Sequence, residues 1–310
     1  MSQYDVLIIG GGPAGAACAW RLRQGNVNCL VLDKAAFPRQ KPCAGWIPPK
    51  VLTDLDFEPS EYPYGFTTFP ALHISIRGFP FILPGKQHAI RRFEFDAWLL
   101  ARSGATFEEH HVKNIKRTGD SYIIDGEYSG KFLVGAGGTH CPVYHTQFKA
   151  AGPRDESSRI VAQEDEFPYP WKDKRCRLWF LENGLPGYAW YVPKANGYVN
   201  VGVGGNSGSM KARGENIKNH WRYLVEKLEK LGLVKGHDFQ PVAHVYHLHR
   251  KLPEVRRENV FLVGDAAGLA TLDMGEGIGP AVRSGLLAAE AILGGGDYSL
   301  DELSKYSLLP

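Results

Sequence analysis

The feature that most narrows the fold lies at the start of the chain. Residues 4–9 (YDVLII) form an aliphatic run, residues 10–15 read GGGPAG, and AACAWRLRQ follows up to Gly25. A second apolar run, residues 28–32 (NCLVL), ends at Asp33. An unbroken run of β-branched and aliphatic residues is the pattern of a strand buried on both faces. Ala16, Ala19, Trp20 and the aliphatic stem of Arg23 recur at helical spacing. Strand, Gly-x-Gly-x-x-Gly, helix, strand, acid is the order of a dinucleotide-binding βαβ unit. Gly10 supplies the tight turn, Gly12 lets the backbone approach a pyrophosphate, and Gly15 lets helix and strand pack closely. N–H groups at the helix start, beside Pro13 and Ala14, meet phosphate charge. Asp33, 23 residues after Gly10, is placed to accept from ribose hydroxyls, which favours an adenosine without a 2′-phosphate. This fingerprint alone does not separate FAD from NAD.

A second strand-and-glycine unit lies far downstream. Residues 259–263 (NVFLV) precede Gly264-Asp265-Ala266-Ala267-Gly268, and Gly275-Glu276-Gly277-Ile278-Gly279-Pro280 precedes AVRSGLLAAEAIL. Val282, Leu286, Ala289 and Ile292 form one helical stripe. An acid at the carboxyl end of a strand, beside small residues, suits a sugar-like chain threaded along a sheet crevice. A helix beginning near Gly277 aims N–H groups at a polar ring edge that gains negative charge.

Gly10 to Gly15, Asp33 and the Gly264-Asp265 turn resemble the FAD-binding elements of flavoproteins with the p-hydroxybenzoate hydroxylase-type fold. Arg91-Arg92-Phe93-Glu94-Phe95-Asp96-Ala97-Trp98-Leu99 is similar to that group's Arg-x-x-Phe-Asp-x-Trp-Leu helix start. The match implies that Arg92 contacts the FAD phosphate or ribityl region and Asp265 the ribityl hydroxyls. Within the group, three further stretches resemble the geranylgeranyl reductase family. These are Lys41-Pro42-Cys43-Ala44-Gly45-Trp46-Ile47-Pro48, then Tyr188-Ala189-Trp190-Tyr191-Val192-Pro193-Lys194, and the flavin-covering loop and helix from Gly264. The resemblance spans residues 4 to about 293. It implies FAD contacts at Lys34, Cys43, Ala44, Gly45, Gly135, Ala136, Gly275, Gly277 and Ile278 as well. It departs at Gly135-Ala136-Gly137-Gly138-Thr139-His140-Cys141, where the family has Gly-Ala-Asp-Gly-x-x-Ser. The chain also ends at Pro310, soon after the flavin-side helix, which weighs against a long isoprenoid pocket.

The expected fold is α/β: a Rossmann-like FAD-binding domain with βαβ and β-meander, plus a substrate domain on an antiparallel sheet. Residues 1–50, 90–152 and 253–310 form the first, and 51–89 with 153–252 the second. HHVKNIKR, SYIIDG and KFLVGAGG turn at Gly119 and Gly126 and read as the meander. LHISI, RLWFLE, YAWYVPK and YVNVGVG read as substrate-domain strands. Residues 214–232 form an amphipathic helix with Trp221, Leu224, Val225, Leu228 and Leu231 on its core face.

Composition removes other classes. Lys+Arg 36 against Asp+Glu 33 leaves +3, too balanced for a nucleic-acid binder. Thirty-six glycines in 310 residues exceed the usual share of about 7%, as tight backbone approaches require. Cysteines at 18, 29, 43, 141 and 176 form no Cys-x-x-Cys pair, so reduced thiols in a cytosol are expected. No apolar run reaches the ~18 residues of a membrane span, and residues 1–5 lack the basic start of a signal peptide. His244, His247 and His249 do not share one strand face, so no metal is expected.

The function expected is an FAD-dependent oxidoreductase, cytoplasmic or membrane-associated, that reduces a carbon–carbon double bond of an apolar or lipid substrate. NAD(P)H or ferredoxin would serve as a transient donor. Tyr188, Trp190 and Val192 share a strand face and are expected to line the apolar site. Cys43, Tyr188 or a water is the expected proton source. A flavin monooxygenase acting on an aromatic or peptide substrate is the alternative, though the Trp-x-Trp-x-Ile-Pro segment of halogenases is absent. A further alternative is an FAD-binding maturation partner that docks a client protein through exposed loops at 57–70 and 167–171.

Overall fold

The computed structural model describes residues 1–150, 152, 154–249 and 252–307; Pro310 and the domain boundary expected at 153 lie outside them. The chain divides into two units, one of Met1–Arg39, Phe93–Asp155 and Tyr246–Pro310, the other of Gln40–Arg92 and Glu156–Val245. Residues 40–50, expected with the nucleotide domain, group with the second unit. Their strand Trp46–Ile47 pairs antiparallel with Phe79–Ala89 of that unit's sheet. Residues 246–249 group with the first unit, where Leu248 bridges Ala270 and the His249 amide donates to the Ala270 carbonyl.

The first unit is built on a sheet in the order Arg256–Arg257, Val260–Leu262, Tyr128–Gly135, Ser2–Ile9, Cys29–Asp33, Thr106–Glu109. From Val260–Leu262 to Thr106–Glu109 every pairing is parallel. Val6, Leu7, Ile8, Leu30, Val31 and Leu32 are fully buried, which is why these runs carry no polar alternation. The chain leaves the first strand toward Cys29–Asp33 on one side and has Tyr128–Gly135 on the other. Ile9, next to Gly135 in register, thus ends at the topological switch point, where open parallel sheets bind ligands. The expected meander is Ile115–Thr118, Ser121–Ile124 and Tyr128–Gly135. Helix Pro13–Gln24 packs against helix Ile278–Gly294 so closely that a side chain at Gly285 would enter the Ala14 carbonyl.

The second unit has an eight-stranded sheet, in the order Val242–His247, Arg159–Pro168, Tyr198–Asn206, Gly187–Lys194, Cys176–Phe180, Thr67–Ile76, Phe79–Ala89, Trp46–Ile47. One pairing departs from the antiparallel expectation: Cys176–Phe180 runs parallel to Thr67–Ile76. A long excursion through the other unit separates these strands in sequence, and parallel neighbours need such a crossover. Helix Ile217–Lys230 lays Trp221, Leu224 and Leu228 on Tyr191, Val199, Val201 and Val203. It begins later than expected because the Asn216 side chain caps it, accepting from the Asn219 amide at 3.1 Å. Leu231 is its C-cap and is exposed, not part of the core face.

The loops expected to be exposed are mostly so along their length, but several of their aromatics turn inward. Phe57, Tyr62 and Phe69 are buried, with Phe66 packed on Phe57 and Tyr62 at ring separations of 6.3 and 4.8 Å. Phe167 is buried too and stacks on His237 at 3.5 Å. Aromatic mass in a proline-rich stretch went to packing because each ring buries a large apolar area.

Candidate functional site

In the first unit the switch point is lined by backbone. Gly10 has φ +115°, a conformation that side-chain-bearing residues avoid. A Cβ there would enter the Ala136 carbonyl. A Cβ at Gly15 would overlap the Gly10 carbonyl. Gly264 approaches the Ala14 Cβ, at 3.0 Å from an added Cβ, and its amide donates to Ser284 Oγ at 2.9 Å. Gly10, Ala14, Gly15, Ala136 and Gly264 therefore meet at the carboxyl ends of adjacent strands, while Gly135 pairs with Ile9 behind them.

Gly12 differs from its neighbours. A Cβ added there would meet only Arg39 Nη2, at 3.5 Å, so its glycine answers to something other than internal packing. It is the N-cap of helix Pro13–Gln24, with no side-chain cap and no acid in the first turn. Pro13, lacking an N–H, fits a position whose donor has no intrahelical partner. Helix geometry leaves the remaining first-turn N–H groups without intrahelical partners at the positive helix end.

Asp33 closes the loop. Its Oδ2 accepts from the Gly11 amide at 2.8 Å and its Oδ1 from Ala35 at 3.1 Å. Arg39 stands 3.7 Å from both Asp33 and the fully buried Asp96. The Arg39 Nε is buried without a hydrogen-bond partner among the described residues. A partly unsatisfied guanidinium beside an uncapped helix start and an open glycine fits a diphosphate, and Asp33 fits the adjoining ribose. Arg39 escaped the sequence reading because no motif fixes its spacing from the glycines. Lys34 is exposed after Asp33.

The second glycine unit is similarly arranged. The Asp265 carboxylate lies 3.5 Å from where a Cβ of Gly277 would stand, so Gly277 keeps this acid uncovered. Gly275 has φ +61° and leaves room for the Tyr246 hydroxyl, 2.5 Å from an added Cβ. Ile278 is buried at the first turn of helix Ile278–Gly294. One of that helix's free N–H groups is already engaged: Gly279 donates to Glu276 Oε1 at 2.8 Å. Glu276 Oε2 is buried with no hydrogen-bond partner among the described residues, and burial pushes the carboxyl up to about 8, so it is largely protonated at neutral pH.

Arg154 braces the stretch where the family's acid is missing. Its guanidinium donates to the Thr139 carbonyl and, at 2.7 Å, to the Ala266 carbonyl, and it lies 3.9 Å over the Tyr144 ring. The turn at Gly137 is thereby tied to the turn at Asp265 by one cation, with no acid in the first.

The second unit holds a buried polar cluster that the sequence only half disclosed. Glu164 Oε1 accepts from the Cys43 amide and, at 3.3 Å, from Asn200 Nδ2. Asn200 also donates to the Cys43 carbonyl at 3.4 Å and accepts from Trp190 Nε1 at 2.7 Å. Lys194, fully buried, pairs with Glu166 and reaches the Cys43 carbonyl at 3.5 Å. Arg91 pairs with Glu166 at 2.9 Å and stacks on Tyr198 at 3.4 Å. Strand alternation explains the convergence. Trp190 and Lys194 sit on one face of Gly187–Lys194, while Glu164 and Glu166 share a face of Arg159–Pro168. Gly202 makes room, since a Cβ there would strike the Trp190 ring and lie 2.8 Å from the Glu164 Cβ.

Charge states follow from this packing. Burial pushes the Glu164 carboxyl up to about 7 despite the pull of Lys194 and of its hydrogen bonds, and its Oε2 has no partner among the described residues. Burial would raise Glu166 as well, but Lys194 and Arg91 hold it below the ordinary carboxylate range. Burial raises the Cys43 thiol, with Arg92 pulling the other way, so the sulfur keeps its proton at neutral pH. Its Sγ accepts from the Gly45 amide at 3.3 Å. Gly45, with φ +76°, packs its bare Cα against the Ile90 carbonyl. His244 is pushed down to about 3 by burial, with Lys41 and Arg92 adding to the effect.

The expected site residues thus divide. Cys43 and Trp190 meet through Asn200. Tyr188 instead joins an aromatic stack with Phe180 at 4.7 Å, Trp190 at 5.7 Å and Trp46 at 6.4 Å. Arg92 is buried at the first residue of helix Arg92–Arg102, and Ala44 is half-buried. Among the described residues no group of three His, Cys, Asp or Glu is arranged to hold a metal, and no helix is long and apolar enough to cross a membrane.

Comparison with known proteins agrees with the geometry. Residues 8–75 match an NAD(P)-binding Rossmann-like domain. An uncharacterized protein of Methanosarcina barkeri is 34% identical, over 94% of this chain and 75% of its own. The menaquinone reductase of Mycobacterium tuberculosis is 28% identical over 93% and 76% of the two chains. A digeranylgeranylglycerophospholipid reductase of Thermoplasma volcanium is 27% identical over 100% and 83%. In fold, the chain superimposes on a geranylgeranyl bacteriochlorophyll reductase-like protein of Thermoplasma acidophilum with a TM-score of 0.81, at 24% identity over 99% and 82%. A Rossmann-like cradle with a flavin-type second glycine turn, the Pro-Cys and Tyr-x-Trp segments, and relatives matched over nearly the full chain place this protein in the geranylgeranyl reductase family of FAD-dependent oxidoreductases.

Proposed function

We propose that this protein reduces a carbon–carbon double bond in an apolar, isoprenoid-like substrate. The observation that carries the reading is the Cys43–Glu164–Asn200–Trp190 cluster. It fastens the Glu164 carboxyl, pushed up to about 7, to the backbone of the residue whose thiol burial keeps protonated, beside an aromatic surface. Bound FAD supplies hydride after reduction by a transient donor such as NAD(P)H or ferredoxin. Gly10, Gly12, Gly15 and Arg39 would hold its diphosphate, Asp33 its ribose, and Asp265, with the turn at Gly275 to Ile278, its ribityl and ring portions.

Saturating a double bond also needs a proton on the second carbon. The Cys43 thiol is a donor here and not a nucleophile, because its sulfur is protonated at neutral pH. The Glu164 carboxyl, near half-protonated at neutral pH and held on the Cys43 backbone amide, is the group we assign to restoring the Cys43 proton. Asn200 and Lys194 hold the Cys43 peptide by its carbonyl while Glu164 holds its N–H, which fixes the direction of the thiol. Tyr188, Trp190, Trp46 and Phe180 offer flat apolar surface to an unsaturated chain and keep water from it.

The test is anaerobic mixing of the reduced holoprotein with isoprenoid lipids, following flavin oxidation and product mass. Oxidation with a gain of two hydrogens per double bond is expected. A gain of one oxygen under air would establish a monooxygenase instead. Turnover with no small molecule, but tight capture of a client protein, would establish a maturation partner.

A further inference from the structure

In the second unit, the hairpin of Thr67–Ile76 and Phe79–Ala89 carries an apolar surface that none of the described residues covers. Its two strands join through Arg77 and Gly78, both at positive φ, a tight turn matched to strand twist. Beyond the turn, residues 79–82 read FPFI. Phe79 is 78% exposed and Ile82 60%, with Ile76, Phe81 and Leu181 also exposed nearby. Successive side chains in a strand point to opposite faces, so Phe79 and Phe81 stand on one face and Pro80 and Ile82 on the other. Both faces are bare. Internal packing does not explain this, since a core strand hides at least one face and a partner's groove would cover one.

We propose that this hairpin edge docks the protein on an anionic lipid surface, with the segment from Ile76 to Ile82 inserted at the headgroup–acyl boundary. Three observations select that occupant. First, charge: residues 62–93 contain no Asp or Glu, and Arg77 and Lys86 flank the apolar segment. Neither cation is in a salt bridge among the described residues, whereas the neighbouring acids are already paired, Glu182 with Lys227 and Asp173 with Arg175 and Arg177. Free cations beside apolar side chains match a negatively charged membrane. Second, Pro80 and Pro84 lie in the part of this strand that Trp46–Ile47 does not pair with, and lack the N–H that strand addition requires. Such prolines block pairing with a second copy or an extended peptide. Third, only a fluid phase can receive side chains from both faces of one strand. Insertion stops at the interface, where water still reaches the edge backbone groups. The proposal stands on the hairpin alone and does not depend on the reaction proposed above.

The test is co-sedimentation of the holoprotein with phosphatidylcholine vesicles, with and without phosphatidylglycerol, beside solution mass measurements. Binding should require phosphatidylglycerol and weaken as salt rises. The Phe79→Ser/Ile82→Ser double variant should bind at least about tenfold more weakly, since two large apolar groups lose their buried area. Arg77→Gln/Lys86→Gln should lose several-fold and become less sensitive to salt. These exposed positions should leave the thermal transition unchanged. Equal binding by the Phe79/Ile82 variant, no binding by the native protein, or a dimer in solution that the double variant splits would each overturn the proposal.

Discussion

The cradle of the first unit and the cluster of the second solve opposite problems. Around Gly10 the chain removes side chains so that backbone can pack on backbone; Gly15 against the Gly10 carbonyl and Gly10 against the Ala136 carbonyl leave no room for a methyl group. Around Cys43 it does the reverse, filling the interior with carboxyls, an amide and an ammonium that stay there only because they satisfy one another. The first arrangement is held by exclusion and offers a helix start to charge. The second is held by pairing, so its weak point is the removal of a partner. The two should therefore fail differently.

Gly15→Val is the sharpest break of the first kind. The added side chain must displace the Gly10 carbonyl, and the turn has no slack because Gly10 is already at φ +115°. A loss above about 5 kcal/mol is expected, read as colourless, insoluble or low-melting protein. Normal flavin content in a stable Gly15→Val variant would show that the cradle yields. On the other side, Lys194→Met leaves Glu166 with Arg91 alone and the Cys43 carbonyl short of a donor. Removing one member of a buried pair costs about 3–5 kcal/mol. Pairing it with Glu166→Gln should restore part of that in denaturant titrations. If the double variant is as unstable as the sum of the singles, pairing is not what holds this cluster.

The contrast also explains what could be read in advance. Gly10, Gly12, Gly15 and Asp33 lie within one βαβ unit, and their jobs follow from spacing, so this cradle was legible. So was the meander from residue 115 to 135, because turns and strands are local. Cys43 and Trp190 were singled out by resemblance, but their link was not visible: Asn200 and Glu164 come from separate strands and meet only once the sheet registers are set. Glu164 lies within QEDEF, where alternation turns Glu164 and Glu166 to one face and Gln163 and Asp165 to the other. Arg39 and Arg154 were missed for the same reason, as guanidinium groups reach their partners through space. At 57–70 composition showed where the loop would be exposed but not that Phe57, Tyr62 and Phe69 would pack inward.

The finest probe of the difference is pH, because Glu164 is a buried acid whose proton is shared between folding and chemistry. Burial pushes its carboxyl up to about 7 in the folded chain, against an ordinary value of 4.5. Below the ordinary value both folded and unfolded chains carry the proton and the site costs nothing. As pH rises toward 7 the unfolded chain releases it first, so native stability falls across that window and then levels off. The full penalty is about 3 kcal/mol. Glu276, at about 8, extends the same trend upward from the first unit. Glu164→Gln keeps an oxygen for the Cys43 and Asn200 donors and cannot ionise. It should match the native protein near pH 4, exceed it in stability by up to about 3 kcal/mol at pH 8, and retain the residual slope due to Glu276. Urea titrations at several pH values check this, and a constant difference between the two proteins at every pH would mean that Glu164 ionises normally. If turnover of the same variant also loses its dependence on pH near 7 while KM holds, the carboxyl serves the proton relay and not merely the packing around Cys43.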